Sequence, residues 1–251
     1  MGLNDGRVVL ITGAGGGIGR EHALAFAATG AKIVVNDLGA HFDGSGQATN
    51  SPAQDVVSEI KKMGGDAVAN GESVSDYKGA KRIIECALDN FGKLNIVVNN
   101  AGATKRADFA DLTEADWTDG FALKFFGAVR LTRAAWPHLK TNSGSILNIS
   151  GIGGRTPGAQ FTIGGSVNAA LCCFTKAMAD AGIRDGVQVN AVNPGTIRTD
   201  RYQKRLVAFA KERNIDVAAA ERHFVEDGEI TRIGEPDDIA NLVAFIVSPE
   251  G

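Results

Sequence analysis

Tyrosine is scarce in this chain: Tyr77 and Tyr202 are the only two among 251 residues, so chemistry that needs a phenol has two addresses at most. Cysteine is nearly as rare. Cys86, Cys172 and Cys173 make no metal-binding spacing, and an adjacent pair can hardly form a disulfide framework, so all three read as buried small hydrophobes in a reducing compartment. Neither charge dominates: 26 Lys and Arg against 29 Asp and Glu leave a formal −3, which provides no global basic field for nucleic acid or an anionic membrane. No uninterrupted apolar run approaches the ~18 residues that span a bilayer, and Met1 to Gly6 carries no basic segment leading into an apolar one. The expectation is a soluble cytoplasmic protein with neither nucleic acid nor membrane as partner.

Glycine, by contrast, is abundant at 32 residues. Thr12-Gly13-Ala14-Gly15-Gly16-Gly17-Ile18-Gly19 lies between the apolar run Val8 to Ile11 and the helical-looking Arg20 to Ala28. A strand, a glycine turn and a helix start offer backbone N–H groups and a positive helix end to a pyrophosphate. A plain turn closing a βα unit is the other reading, and these glycines alone leave it open.

Short β-branched runs alternate with longer helical patterns along the rest of the chain. Strands are predicted at Val8 to Ile11, Lys32 to Asn36, Asp66 to Asn70, Ile96 to Asn99, Gly144 to Ile149 and Val187 to Val192. Between them, helices are predicted near Gly17 to Thr29, Pro52 to Met63, Tyr77 to Asn90, Glu114 to His138 and Gly164 to Ala181. The alternation implies one α/β domain over residues 1–251: a doubly wound parallel sheet of Rossmann type, helices on both faces, its ligand at the carboxyl ends of the strands. His41 to Asn50 reads as a mobile surface loop.

With these residues in place the chain resembles a short-chain dehydrogenase/reductase over essentially its whole length. The resemblance is carried by Thr12-Gly13-xxx-Gly17-Ile18-Gly19, by Asn99-Asn100-Ala101-Gly102 after the fourth strand, and by Asn193-Pro194-Gly195-Thr196-Ile197-Arg198-Thr199 after the sixth. Arg232 to Ala240 is similar to the family's approach to its last helix, and the family would add a further strand after Pro249-Glu250-Gly251. Val34-Val35-Asn36-Asp37-Leu38-Gly39 looks most like the hydroxyacyl-CoA and hydroxysteroid dehydrogenase branches.

The resemblance implies a nicotinamide cofactor. Gly13, Gly15 and Gly17 would bring the backbone close to the pyrophosphate, and Gly19 would let the helix pack closely on the sheet. Asp37, followed by Leu38, closes the second strand where it can bind ribose hydroxyls and repel a 2′-phosphate, so NAD(H) is expected over NADP(H). At Ser73-Val74 the family pattern has an acid before the apolar residue, so the adenine would lose an acceptor. Asn100, Ala101, Gly102 and the loop of Pro194, Gly195, Ile197 and Thr199 would line the rest.

The same resemblance empties the reaction centre. The family carries Tyr-x-x-x-Lys on its fifth helix, a Ser upstream and an Asn on the preceding helix. In register, Gly164 takes the Tyr position, Asn168 the Lys, Gly151 the Ser and Lys124 the Asn. Glycine has no proton to give, and Asn168 could bind the nicotinamide ribose without charge to tune an acid. Lys124 is the best substitute acid or base; Tyr202, swinging in from a lid over residues 200–230, is another, while Ser150 and Thr162 read as structural, Thr162 as a cap or turn residue. Arg198, Arg201, Lys204 and Arg205 open that lid and could meet an acidic substrate or form a solvated face. Three functions stay open: an NAD(H)-dependent oxidoreductase on an unidentified alcohol or ketone, a non-catalytic NAD(H)-binding protein, and a non-redox lyase or hydratase. A homo-oligomer, dimer or tetramer, is expected, or a hetero-oligomer with an active homologue.

Overall fold

The computed structural model describes residues 2–39 and 51–251; the predicted loop from His41 to Asn50 lies outside the described residues. Strands β1 (Val8–Thr12), β2 (Lys32–Asn36), β3 (Asp66–Asn70), β4 (Ile96–Asn99), β5 (Ser145–Ile149) and β6 (Gln188–Val192) form one sheet in the order β3-β2-β1-β4-β5-β6. Every pairing is parallel. Strands β1, β4 and β5 are buried along their whole length, which is why their Val, Ile and Leu runs show no polar alternation.

Alternate side chains of β1 feed two cores. Val9 and Ile11 pack with Phe26 of α1 (Gly17–Ala28), Ile60 of α2 (Ser51–Lys62) and Val243 of α9 (Pro236–Ile246). Val8 and Leu10 pack on the other face with Ile83 of α3 (Tyr77–Phe91) and Leu131 of α5 (Phe126–Thr141), and Met178 of α6 (Thr162–Asp185) joins them. This is the expected doubly wound arrangement. The strand order turns back between β1 and β4, so a crevice opens there at the carboxyl ends.

One helix differs from the sequence prediction, and a second segment is helical as its alternation implies but packs Tyr202 inward. The single helix predicted over 114–138 is α4 (Glu114–Gly120), a π turn at Phe121–Phe125, and α5, which continues through Pro137 to Thr141. One widened turn leaves the apolar periodicity nearly intact, so the pattern does not reveal it; such turns gather at functional sites, and Lys124 sits on this one. Residues 200–230 form α7 (Asp200–Arg213) and α8 (Val217–Asp227), with a small core of their own built from Tyr202, Leu206, Ala210 and Ala220. Arg198 fixes this unit by pairing with Glu221 (2.6 and 2.9 Å) and Glu235 (2.9 Å). Tyr202 is 5% exposed inside that core, so it does not swing over the crevice. No helix among the described residues is long and apolar enough to cross a membrane.

Candidate active site

The crevice begins where β1 and β4 are laced together. The buried Thr12 hydroxyl accepts the N–H of Asn100 (3.1 Å) and of Ala101 (3.0 Å), while the Asn100 carboxamide donates to the carbonyls of Thr12 and Gly13 at 3.0 Å each. A Cβ on Gly13, at φ +61°, would stand 2.9 Å from the Ala101 Cα. On Gly19 it would stand 2.1 Å from the Gly13 carbonyl oxygen and 2.5 Å from Asn100 Nδ2, so Gly19 packs against the turn itself rather than the sheet. Gly16 caps α1 with no side-chain hydrogen bond, and the first turn carries no acid. The first N–H groups of α1, at Gly17 and the half-buried Ile18, have no intrahelical acceptor, and the positive helix end is uncompensated. Thr199, the α7 cap, stands across the turn, its Cγ2 3.6 Å from a Cβ built on Gly17. Beside it the Pro194 carbonyl accepts Ile152 N–H (3.0 Å), Gly195 is exposed, and Ile197 bridges to Gly234.

Asp37 closes β2 facing the same turn. Its Oδ2 accepts Gly15 N–H (2.9 Å) and its Oδ1 accepts Gly39 N–H (2.8 Å), which fixes both the carboxylate and the loop, with Leu38 part-exposed beside them. Beyond β3 the Ser73 hydroxyl accepts Ser75 N–H (3.1 Å) and so serves its own turn, while Val74 is buried against Gly127.

At the end of β5 the second half of the crevice is filled by different means. Ser150 is buried and its hydroxyl donates to the Asn168 carbonyl (2.9 Å), the structural position expected for it. A Cβ on Gly151 would lie 2.8 Å from Asn168 Nδ2. Gly164 is buried on α6, and a Cβ there would lie 2.1 Å from the ring of Phe161, which also covers Gly153. The Arg106 guanidinium lies 4.0 Å over the centroid of that ring. Phe161 is the site residue that sequence reasoning misses, because whether an aromatic folds back over the next helical turn depends on backbone geometry; its one trace is the glycine pair it covers. Thr162 starts α6 without capping it, and its hydroxyl is buried with no partner among the described residues.

Lys124 reaches this region from the π turn. Its Nζ donates to the Ser150 carbonyl (2.7 Å), and its stem lies against Gly102, where a Cβ would come within 2.8 Å of Cδ. Burial pushes the ammonium down to about 8 and the Arg201 guanidinium adds to the fall, with the Cys172 sulfur opposing it. Cys172 Sγ sits 3.4 Å from Ser150 Oγ and 3.2 Å from Asn193 Oδ1; Cys173, one residue on around α6, is exposed rather than buried. Beneath them a buried neutral chain runs from Asn99 to Asn148 to Thr175, 2.8 Å at each step, tying β4, β5 and α6 together. Lys124 and Asn168 therefore meet at Ser150, Gly151 stands against the Asn168 amide, and Gly164 lies one turn earlier on α6 under Phe161; Lys124 alone of the four carries an ionisable side chain. Tyr77, exposed at the start of α3, stands elsewhere.

Comparison with known proteins agrees with this architecture. Residues 7–207 match the family model described as short chain dehydrogenase. The chain is 41% identical over 194 residues to the peroxisomal multifunctional enzyme type 2 of Mus musculus, an alignment covering 76% of this chain and 25% of that protein, so it spans about a quarter of that relative's length. A 7α-hydroxysteroid dehydrogenase solved with NADH and 7-oxo glycochenodeoxycholic acid superposes with a TM-score of 0.85 at 30% identity, covering 98% of this chain and 89% of that one. The L-sorbose reductase of Gluconobacter frateurii, solved with NADPH and L-sorbose, superposes at 0.91 with 26% identity, covering 100% and 93%. The chain belongs to the short chain dehydrogenase family, oxidoreductases built on a fold that holds a nicotinamide cofactor.

Proposed function

We propose that this chain binds NAD(H) in preference to NADP(H) and acts as an oxidoreductase on an alcohol or carbonyl compound, with Lys124 exchanging the proton that the family's phenol handles elsewhere. The residues present fit a dinucleotide. The turn from Thr12 to Gly19 has no side chain in front of the uncapped start of α1, and Gly13 and Gly19 leave no room for one. Gly15 N–H is given to Asp37, so Gly17 and Ile18 are the donors left for a pyrophosphate. Asp37, anchored at both oxygens, would accept ribose hydroxyls and repel a 2′-phosphate. Asn100, Ala101, Gly102, Pro194, Gly195, Ile197 and Thr199 would flank the nicotinamide end, Asn168 would bind its ribose, and Ser73-Val74 would border the adenine. When bound, the nicotinamide gives or takes a hydride.

Lys124 carries the catalytic part of the reading. Its ammonium is held to the Ser150 carbonyl and has a pKa near 8, so it can give a proton to a carbonyl oxygen below that pH and take one from an alcohol above it. Rates of carbonyl reduction should hold on the acid side and fall as the pH rises through about 8, and alcohol oxidation should rise through the same window. Fluorescence titration with NADH and NADPH tests the cofactor; equal or tighter NADPH binding defeats the argument from Asp37. A pH profile without a step near 8 defeats the role of Lys124.

One observation favours a second reading, a non-catalytic NAD(H)-binding subunit. Phe161 fills the space in front of Gly164, where the family's phenol would project. Tight NADH binding with no turnover on any alcohol or ketone would select it, as would activity gained only on restoring Gly151→Ser, Gly164→Tyr and Asn168→Lys. Under the first reading the assembly is a dimer or tetramer of this chain, and under the second a hetero-oligomer with an active homologue; exposed Phe126 on α5 and Ile183 on α6 are apolar surface that either would cover. The unpaired thiols suit a reducing compartment, the cytoplasm in our reading, with the peroxisome of the mouse relative as the alternative.

A further inference from the structure

Beyond its last residue, Ile149, strand β5 is carried on by side chains. Ser150 N–H still donates to the Val192 carbonyl (2.9 Å), as a ladder would, but the next N–H, that of Gly151, donates to the side-chain Oδ1 of Asn193 (3.4 Å). Ser150 Oγ donates to the Asn168 carbonyl on α6 (2.9 Å). The one S–H proton of Cys172 faces two acceptors, Asn193 Oδ1 at 3.2 Å and Ser150 Oγ at 3.4 Å. Ser150, Cys172, Asn193 and Gly151 thus close a circuit of polar contacts that joins the ends of β5 and β6 to α6. The Ser150 carbonyl stands outside that circuit and accepts Lys124 Nζ (2.7 Å). This carbonyl and the Gly151 N–H belong to one planar trans peptide and point in opposite directions, so holding the N–H sets where the carbonyl points. Gly151 has no side chain to restrain the plane, and a Cβ there would lie 2.8 Å from Asn168 Nδ2. The restraint comes from Asn193.

We propose that Asn193 is a positioning residue: by accepting the Gly151 N–H it fixes the peptide between Ser150 and Gly151 and keeps the Ser150 carbonyl on the Lys124 ammonium, with Cys172 as the lesser support. Naming that ammonium as the proton donor rests on the oxidoreductase reading; the hold on it does not. Hydrogen bonds at the two ends of a peptide polarise it in the same sense, so the Asn193 carboxamide also makes the carbonyl a stronger acceptor for the charged form of Lys124. A peptide plane that turns away leaves an enclosed ammonium without its acceptor, which favours the neutral amine.

NMR of the whole chain carrying isotope-labelled lysine tests this, with the Lys124 side-chain signal identified by its absence from Lys124→Met. The readout is the midpoint of that signal's titration. Asn193→Ala should lower it by about one pH unit, a tenfold change in proton affinity, and Asn193→Leu, which fills the same space without an acceptor, should do likewise. Asn193→Asp keeps an acceptor for the Gly151 N–H and should hold the midpoint at or above the wild-type value. Cys172→Ala should lower it by less than Asn193→Ala. A site that is merely loosened would admit water and raise the midpoint toward that of a free lysine. An upward shift or none in Asn193→Ala and Asn193→Leu therefore overturns the proposal, as does a fall in Asn193→Asp or a larger fall in Cys172→Ala. The pH step in turnover should move with the midpoint. A midpoint that falls while turnover shows no matching step keeps the hold and loses Lys124 as the proton donor; a step that moves while the midpoint stays loses the role of Asn193.

Discussion

The turn at the end of β1 and the strand end of β5 face the same crevice and are built in opposite ways. Around β1 the shape is made of backbone: Gly19 touches the Gly13 carbonyl, Gly13 backs onto Ala101, and Asn100 stitches both carbonyls of the turn. Around β5 the shape is made of side chains: Phe161 against Gly164, Asn168 against Gly151, Lys124 on the Ser150 carbonyl. Where backbone meets backbone, at Gly13 and Gly19, there is no room for an added atom. A side-chain centre can be rewritten residue by residue without moving the fold. The largest expected effect tests that second half. Lys124→Met should lower turnover by ~10²–10⁴-fold and erase the pH step near 8 while leaving NADH affinity unchanged. Loss of NADH binding along with turnover would show that the two halves are not separable.

The cradle should break through stability. Gly19→Ala puts a methyl 2.1 Å from a carbonyl oxygen that cannot turn away, at a cost of about 3 kcal/mol in urea unfolding. Gly195→Ala, in the loop across the crevice, has open space in front of it and should cost less than ~0.5 kcal/mol. Similar losses at both positions would mean that the close backbone approach does not set the cradle apart.

The same contrast explains what the sequence could disclose. Close backbone packing is written as glycine spacing, so the tight positions Gly13 and Gly19 are legible in the chain, as are the six strands, most plainly β1, β4 and β5, whose burial along their whole length enforces apolar runs. Strand ends shift by a single residue at β1, β5 and β6, where Thr12, Gly144 and Val187 lie at the boundary. Of the positions that the resemblance picks out, Lys124 and Asn168 both bond Ser150 and Gly151 stands against the Asn168 amide. The ring of Phe161, the π turn under Lys124 and the inward packing of Tyr202 are hidden for one reason: each depends on where a side chain or a widened turn goes once neighbours from distant parts of the chain are in place.

Phe161 offers a smaller and sharper test. Gly164→Tyr alone forces a ring into the space that Phe161 fills and should cost about 2 kcal/mol. Phe161→Ala in the same chain should recover about 1 kcal/mol or more of that loss, a coupling read from a double-mutant cycle. Additive losses would mean that the two rings pass each other and that the second half of the crevice is roomier than its packing shows.

The smallest effect concerns cofactor choice and returns to the cradle. Asp37 spends each oxygen on one backbone N–H, to Gly15 and to Gly39, and retains lone pairs and a full negative charge toward the crevice. Asp37→Asn keeps an acceptor, presents an amide N–H where one of those oxygens stood, and removes the charge that opposes a 2′-phosphate. The repulsion lost is that of two like charges near a solvated surface, worth about 1–2 kcal/mol, so NADPH should gain about tenfold relative to NADH. Overall affinity should fall at the same time, because one backbone N–H then faces a donor and the turn loosens. A ratio that moves without a change in stability would show that charge alone sets the choice. Stability falling with the ratio unmoved would show that Asp37 shapes the glycine turn and leaves discrimination to residues elsewhere in the crevice.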